Sequence, residues 1–286
     1  MLLLRSFTTA LLCGLLAVLL AHPVLSNHNQ TLERRDLDSS VAIPTKFRFM
    51  GNLLHNGKII CSALIIGKSW LLVQGFCVTQ SQLVAPSGYT LKPVSQLTVI
   101  LGTSQDETRQ QLPVSRIVLH SEFNYSSRVN NLAMVQLASS LAYNTTVGSV
   151  KIDTRPLAAL TPVTGLAYPQ PGTYSGVLTL NAVQAMTAPT AVYKDVTNSG
   201  VPLDTNAVIV VEKDAGGNDF DFATSGGIFT NLDNGSSALL SLPMTILQPV
   251  GGQSEDITYI HYRLAPAVAW ISKATGITAD SLVYQG

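Results

Sequence analysis

The most constraining stretch of this chain is Cys61-Ser-Ala-Leu-Ile-Ile-Gly-Lys-Ser-Trp-Leu-Leu-Val-Gln-Gly-Phe-Cys77. Two cysteines frame two short apolar runs, 58–67 and 69–76, with Gly67-Lys68 as the punctuation between them. Runs of Ile, Leu and Val bounded by such breakers read as buried strands of a hairpin. Further short β segments are expected at 96–102, 113–120, 132–137, 176–186, 207–212, 227–230, 238–250 and 257–264, separated by Gly, Pro, Asn and Asp. A helix is expected at the end, where Ala265-Pro266 opens an apolar run closed by Gly276. Pro266 suits a first turn and Gly276 a stop. The pattern is all-β, a sandwich or barrels.

The first 26 residues read as a cleaved secretory signal: Arg5 supplies the positive start, 7–20 are apolar, and Val24-Leu25-Ser26 precede the cut. A retained anchor is the alternative, but His22 and Pro23 end the apolar run too early for a span. Residues 27–45 form a polar linker or short pro-segment carrying Arg34-Arg35, either a processing site or a solvated charge cluster. Acidic and basic residues number 17 each, with no basic stripe, which argues against a nucleic-acid partner. Removal of the signal takes Cys13 and leaves Cys61 and Cys77, either bridged or as two buried thiols. No ligand spacing for a metal is present, and no cofactor is expected. Sequons at Asn29, Asn124, Asn144 and Asn234 are expected glycan sites on a secreted chain.

The Cys61–Cys77 stretch resembles the segment of chymotrypsin/trypsin-like serine proteases that runs Cys-Gly-Gly-Ser-Leu-Ile to Trp-Val-Leu-Thr-Ala-Ala-His-Cys. Other stretches resemble that family in the same order. Leu97-Thr-Val-Ile-Leu-Gly-Thr103, Val118-Leu-His-Ser-Glu-Phe-Asn124 and Asn131-Leu-Ala-Met-Val-Gln-Leu137 are similar to strands and loops of its first half. Val163-Thr-Gly-Leu166, Gly217-Asn-Asp-Phe-Asp-Phe-Ala-Thr-Ser-Gly-Gly227 and 259–264 are similar to its second half. The resemblance implies two packed six-stranded Greek-key barrels with a C-terminal helix. Barrel one would span about 46–150 and barrel two about 151–264, followed by the helix at 265–275 and a tail at 276–286. It also implies a Cys61–Cys77 disulfide, which would close a loop of about 15 residues and contribute about 3 kcal/mol in the chain-entropy model.

The same resemblance locates a degenerate triad. A serine hydroxyl needs an imidazole to take its proton and a carboxylate to orient that imidazole. Phe76 stands at the base position, Asn131 at the carboxylate position, and Ser225 alone matches, at the nucleophile position. A phenyl ring has no lone pair with which to accept a proton. Ala223 and Thr224 depart from the family around the serine, Asp221 replaces its bracing cysteine, and Val41-Ala-Ile-Pro is the nearest stretch to the activation start. Leu242-Pro-Met244 has no clear counterpart to the wall of the specificity pocket. Ser225 then reads as a turn serine. Asp219 matches the base of a pocket for a basic side chain, or is a loop acid. His55, His120 and His261 stand away from the base position and read as surface or packing residues.

The expectation is a secreted, catalytically inactive homologue that works by binding an extracellular protein, with no membrane association after signal cleavage. It resembles the glucanase inhibitors secreted by plant-pathogenic oomycetes, which implies a host endo-β-1,3-glucanase as partner; its low cysteine count departs from that group. The alternative is an active serine endopeptidase using Ser225 with a non-standard base. A further reading is a structural or adhesive glycoprotein.

Overall fold

The computed structural model describes residues 46–81, 88–102, 110–158, 161–167, 181–187, 208–213, 225–247 and 258–286. Strands β1 (Met50–His55), β2 (Lys58–Gly67), β3 (Trp70–Val73), β6 (Leu97–Leu101), β7 (Gln110–Leu119) and β8 (Ala133–Leu137) close into a barrel in the order β1-β2-β3-β8-β7-β6. Between β3 and β6 lies a small antiparallel pair, β4 (Thr79–Ser81) and β5 (Tyr89–Leu91). A second barrel closes in the order β10-β11-β14-β13-β12-β9. Its strands are β9 (Pro162–Ala167), β10 (Asn181–Thr187), β11 (Val208–Lys213), β12 (Ser225–Asn231), β13 (Ser237–Leu247) and β14 (Thr258–Arg263). Closure leaves neither sheet with a free edge, the hazard of an open all-β chain.

Local chemistry explains the turns. Asn56 and Gly57 both take positive φ, 50° and 76°, between the paired His55 and Lys58. That is the two-residue hairpin turn whose twist matches its strands, and Asn-Gly is the dipeptide that adopts it most readily. β6 alternates buried and half-exposed residues, as a strand with one wet face should. β2 does not alternate: Cys61 to Ile66 are all buried. One face of β2 fills its own barrel while the other meets the second barrel near β12. Across that seam the rings of Phe49 and Phe229 lie 5.0 Å apart. Buried side chains of both barrels thereby form one continuous core, from Leu53 and Leu101 to Leu239 and Ile260.

The strand expected at 69–76 is shorter than the apolar run. β3 ends at Val73, and Gly75–Val78 form a 3-10 turn. Cys77 on this turn is bonded to Cys61 of β2, their Cα atoms 6.1 Å apart. The bridge fastens the turn that carries Phe76 to β2.

The end of the chain is built into the fold. Ala265–Ala267 is a 3-10 turn with Pro266 in its opening, followed by helix α1 (Val268–Thr275) and helix α2 (Ala279–Leu282). Gly276 caps α1 in the left-handed conformation, its N–H donating to Ser272 O at 2.8 Å. Val268 and Ile271 are buried, and Trp270 stacks on His120 of the first barrel, ring centres 4.8 Å apart. Beyond α2, Tyr284 N–H donates to Ile152 O and Ile152 N–H to Leu282 O. Nearby, the buried Asp153 carboxylate accepts hydrogen bonds from Arg155 Nη2 at 2.8 Å and Thr230 Oγ1 at 2.6 Å. Burial works to raise the Asp153 pKa, but the bonds from Arg155 and Thr230 outweigh it and hold the pKa below the ordinary value.

His261 of β14 is 4% exposed, and its Nδ1 has no hydrogen-bond partner. Burial lowers its pKa from 6.5 to about 3. The unfolded chain therefore takes up a proton below pH 6.5 that the folded barrel refuses until about pH 3. The stability so contributed is complete above pH 6.5 and is lost as pH falls through that window, by about 1.4 kcal/mol for each pH unit crossed. Urea midpoints measured from pH 7 to 4 should fall accordingly. The His261→Phe variant, which keeps a ring but cannot titrate, should show a flatter profile; an unchanged slope would contradict this account.

Candidate functional site

The 3-10 turn after β3 carries Phe76, and the loop before β8 carries Asn131. The fold brings these residues together across 55 positions of sequence: Phe76 N–H donates to Asn131 Oδ1 at 2.9 Å. Asn131 is buried, 1% exposed. Its amide NH2 donates to Gln74 Oε1 and to the Pro243 carbonyl, both at 3.4 Å. The surroundings thus offer one donor and two acceptors, the complement of an amide. A carboxylate has acceptors only, and its second oxygen would face the Pro243 carbonyl with no proton between them. Pro243 reaches this place because the register of β13 shifts between Pro243 and Thr245. This is the Leu242-Pro-Met244 segment for which the sequence offered no counterpart.

Ser225 opens β12, its backbone paired with Ala167 of β9; its side chain lies outside the described part of the structure. Asp219, Asp221, Ala223 and Thr224 also lie outside the described residues, as do Asn29, Arg34-Arg35 and Val41-Ala-Ile-Pro. The glycines after Ser225 have structural work. A Cβ on Gly226 would sit 2.1 Å from Met50 Cε, and one on Gly227 would sit 2.4 Å from Ser241 O. Gly227 also has φ of +100°, which side chains with a Cβ rarely adopt. Gly227 is therefore required by the backbone path of β12, whereas the contact at Gly226 is with the flexible end of Met50.

The described histidines are committed to other places. His55 Nε2 bonds to Gln96 Oε1 at 2.8 Å. His120 lies against Trp270, and its Nδ1 accepts the Glu122 N–H at 3.2 Å. Burial lowers its pKa, with Glu122 opposing that shift. His261 is enclosed in the second barrel.

Phe76 has a neighbour that the sequence reading missed. The Arg128 guanidinium lies 4.9 Å from the Phe76 ring centre and 4.6 Å from that of Tyr125, within cation–π range of both. Arg128 Nη1 is buried without a hydrogen-bond partner. Tyr125 stacks on Tyr89 at 5.8 Å, and both rings meet Phe123 edge-on. The signal available was a single cation in the otherwise uncharged loop between Asn124 and Asn131, too weak to place it against a ring 52 residues earlier. The sequons at Asn124, Asn144 and Asn234 sit on exposed turns. In each the asparagine Oδ1 accepts the backbone N–H two residues on, at 3.0, 2.8 and 2.9 Å respectively.

No groups for a metal cluster are found among the described residues. No described helix is long and apolar enough to cross a membrane. Chemically, the Phe76–Asn131 arrangement holds a turn in place but offers no proton acceptor at Phe76. Restoring a carboxylate at Asn131 should therefore harm the fold. Asn131→Asp is expected to lose about 1–3 kcal/mol at neutral pH, because its second oxygen meets the Pro243 carbonyl. Urea midpoints should show the loss shrinking as the new carboxyl is protonated at low pH; equal midpoints at pH 7 would refute this reading of the site.

Comparison with known proteins matches this geometry to a family. The family model described as Trypsin matches residues 38–256. Mannan-binding lectin serine protease 1 of Mus musculus is 32% identical over 109 residues, covering 35% of this chain and 15% of that protein. Trypsin-1 of Astacus astacus is 26% identical over 104 residues, covering 36% of this chain and 40% of that protein. The chain thus spans well under half the length of these relatives. Among solved structures, neuropsin, a serine protease of mouse brain, superposes with a TM-score of 0.62 at 15% identity, covering 82% of this chain and 97% of that one. With its two closed barrels and its family match over most of its length, the chain belongs to the trypsin family of chymotrypsin-like serine proteases.

Proposed function

We propose that this chain is a secreted, catalytically inactive member of the trypsin family that acts by binding another protein. The observation that carries the proposal is Phe76 at the base position, its backbone N–H bonded to an amide at the carboxylate position. Loss of the base alone costs roughly a million-fold in turnover in a well-studied triad. The loss here is compounded, since Asn131 sits in a pocket that suits an amide. Meanwhile the two-barrel scaffold is retained, and loops on a rigid scaffold are natural recognition surfaces. The apolar leader, the disulfide and the exposed sequons support secretion. The test of inactivity is a fluorophosphonate probe. Ser225 is expected to remain unlabelled at probe concentrations that saturate trypsin; stable labelling lost in Ser225→Ala would overturn the proposal.

The partner we propose is a host endo-β-1,3-glucanase, in the manner of the oomycete inhibitors that the sequence resembles. Purified protein should then slow glucan hydrolysis by a plant endo-β-1,3-glucanase in proportion to complex formation. Absence of both binding and inhibition at micromolar concentrations would remove this assignment and leave the broader reading in place.

A further inference from the structure

We infer that Asn124, Asn144 and Asn234 carry N-linked glycans, each joined through its Nδ2, and that the folded loops hold these three amides in the orientation such an attachment needs. The inference rests on the secretion part of the function proposed above and is independent of the loss of catalysis. Each asparagine opens an Asn-x-Ser/Thr pattern, the acceptor motif of oligosaccharide transfer in a secretory pathway. A three-residue pattern also arises by chance, so the pattern alone decides little. In a folded protein the deciding feature is where the amide points. All three asparagines are exposed and lie outside strands and helices. Asn124 lies between β7 and β8, Asn144 follows β8, and Asn234 lies in the hairpin between β12 and β13.

The two ends of an asparagine amide differ, since Oδ1 accepts hydrogen bonds and Nδ2 donates them. In all three residues Oδ1 is turned toward its own loop. Asn124 Oδ1 accepts the Ser126 and Ser127 N–H groups at 3.0 and 2.9 Å. Asn144 Oδ1 accepts the Thr146 and Val147 N–H groups at 2.8 and 2.7 Å. Asn234 Oδ1 accepts the Ser236 N–H at 2.9 Å and the Ser236 hydroxyl at 2.6 Å. These bonds close Asx turns, and they fix which end of each amide is oxygen, because an NH2 group cannot accept an N–H. The Nδ2 ends make none of the side-chain hydrogen bonds found among the described residues, and on an exposed residue they are left to the solvent side. Asn130 and Asn131, close by Asn124 in the chain but in no sequon, differ. Asn130 Nδ2 donates to Glu122 O at 3.3 Å, and Asn131 Nδ2 donates to Gln74 and Pro243.

The chemistry of attachment fits this orientation. Transfer exchanges one Nδ2 hydrogen for the anomeric carbon of a sugar. The donor is an oligosaccharide on a polyprenyl diphosphate, the lipid diphosphate leaves, and the displaced proton passes to a base of the transferase. The amide carbonyl takes no part, so every bond to Oδ1 survives the modification. Transfer acts on the chain before its loops are closed, and the fold has only to accept the product. On Nδ2 of these three residues a bulky polar group meets water and breaks no bond of the structure. The same group on Asn130 or Asn131 would displace a donor that the fold uses.

The experiment uses the full chain recovered from the fluid outside the cells that make it. Treatment with peptide N-glycosidase in heavy-oxygen water turns each glycan-bearing asparagine into an aspartate that carries the label, and peptide mass spectrometry reads each position. Labelled aspartate is expected at positions 124, 144 and 234. Ser126→Ala, Thr146→Val and Ser236→Ala each break one sequon while keeping the asparagine and the backbone N–H that it accepts, and each should remove one glycan from the mass of the secreted chain. The orientation has its own test in two variants that both lack the glycan. Asn144→Asp keeps the Oδ1 acceptor and should hold its thermal midpoint above that of Asn144→Ala, which loses the turn's bonds. Equal midpoints would overturn the orientation on which the inference stands. Unlabelled asparagine at any of the three positions, in chain recovered outside the cell, would overturn the inference for that position and leave secretion standing. Chain found only inside the cell, with all three asparagines bare, would overturn the secretion reading together with this one.

Discussion

The hydrogen bond from the Phe76 backbone to the buried Asn131 side chain ties the turn after β3 to the start of β8. The Cys61–Cys77 bridge fastens the same turn to β2 from the other side. Asn131 then reaches across to Pro243 of the second barrel. One amide therefore links two segments of the first barrel to the sheet of the second. The linking amide is satisfied on both its donor and acceptor sides.

Buried polar groups carry most of the specificity in an otherwise aliphatic interior. Asp153 is answered by Arg155 and Thr230 and gathers the second barrel around the chain's final segment. His261 is unanswered at Nδ1, a standing cost of burial, and because it remains neutral a further cost appears only when acid would charge it. Arg128 Nη1 is likewise buried and unanswered, beside the Phe76 and Tyr125 rings.

Phe76 stands where the family resemblance implies a histidine. An imidazole would exchange protons; the Phe76 ring instead gives the Arg128 cation a face to lie against. The loop from Asn124 to Asn131 gains a purpose from this, since its left-handed residues hold the guanidinium and a tyrosine together.

The all-β class, the hairpin turn at Asn56-Gly57 and the closing helix from Pro266 to Gly276 were legible in the sequence, because each follows from periodicity and backbone preference within a few residues. The reading of Phe76 at the base position likewise comes from the sequence, through an ordered set of motifs that resemble the family. Other features were not. The 3-10 turn that follows β3 and carries Phe76 is bonded to a cysteine 16 residues away. The pairing of Asn131 with Pro243 spans 112 positions and needs both barrels closed. Arg128 has no local signature at all; its meaning comes from two rings delivered by different loops. Local chemistry is written in neighbouring residues, whereas the contacts that make a surface arise only when distant segments are brought to one place by the burial of the core.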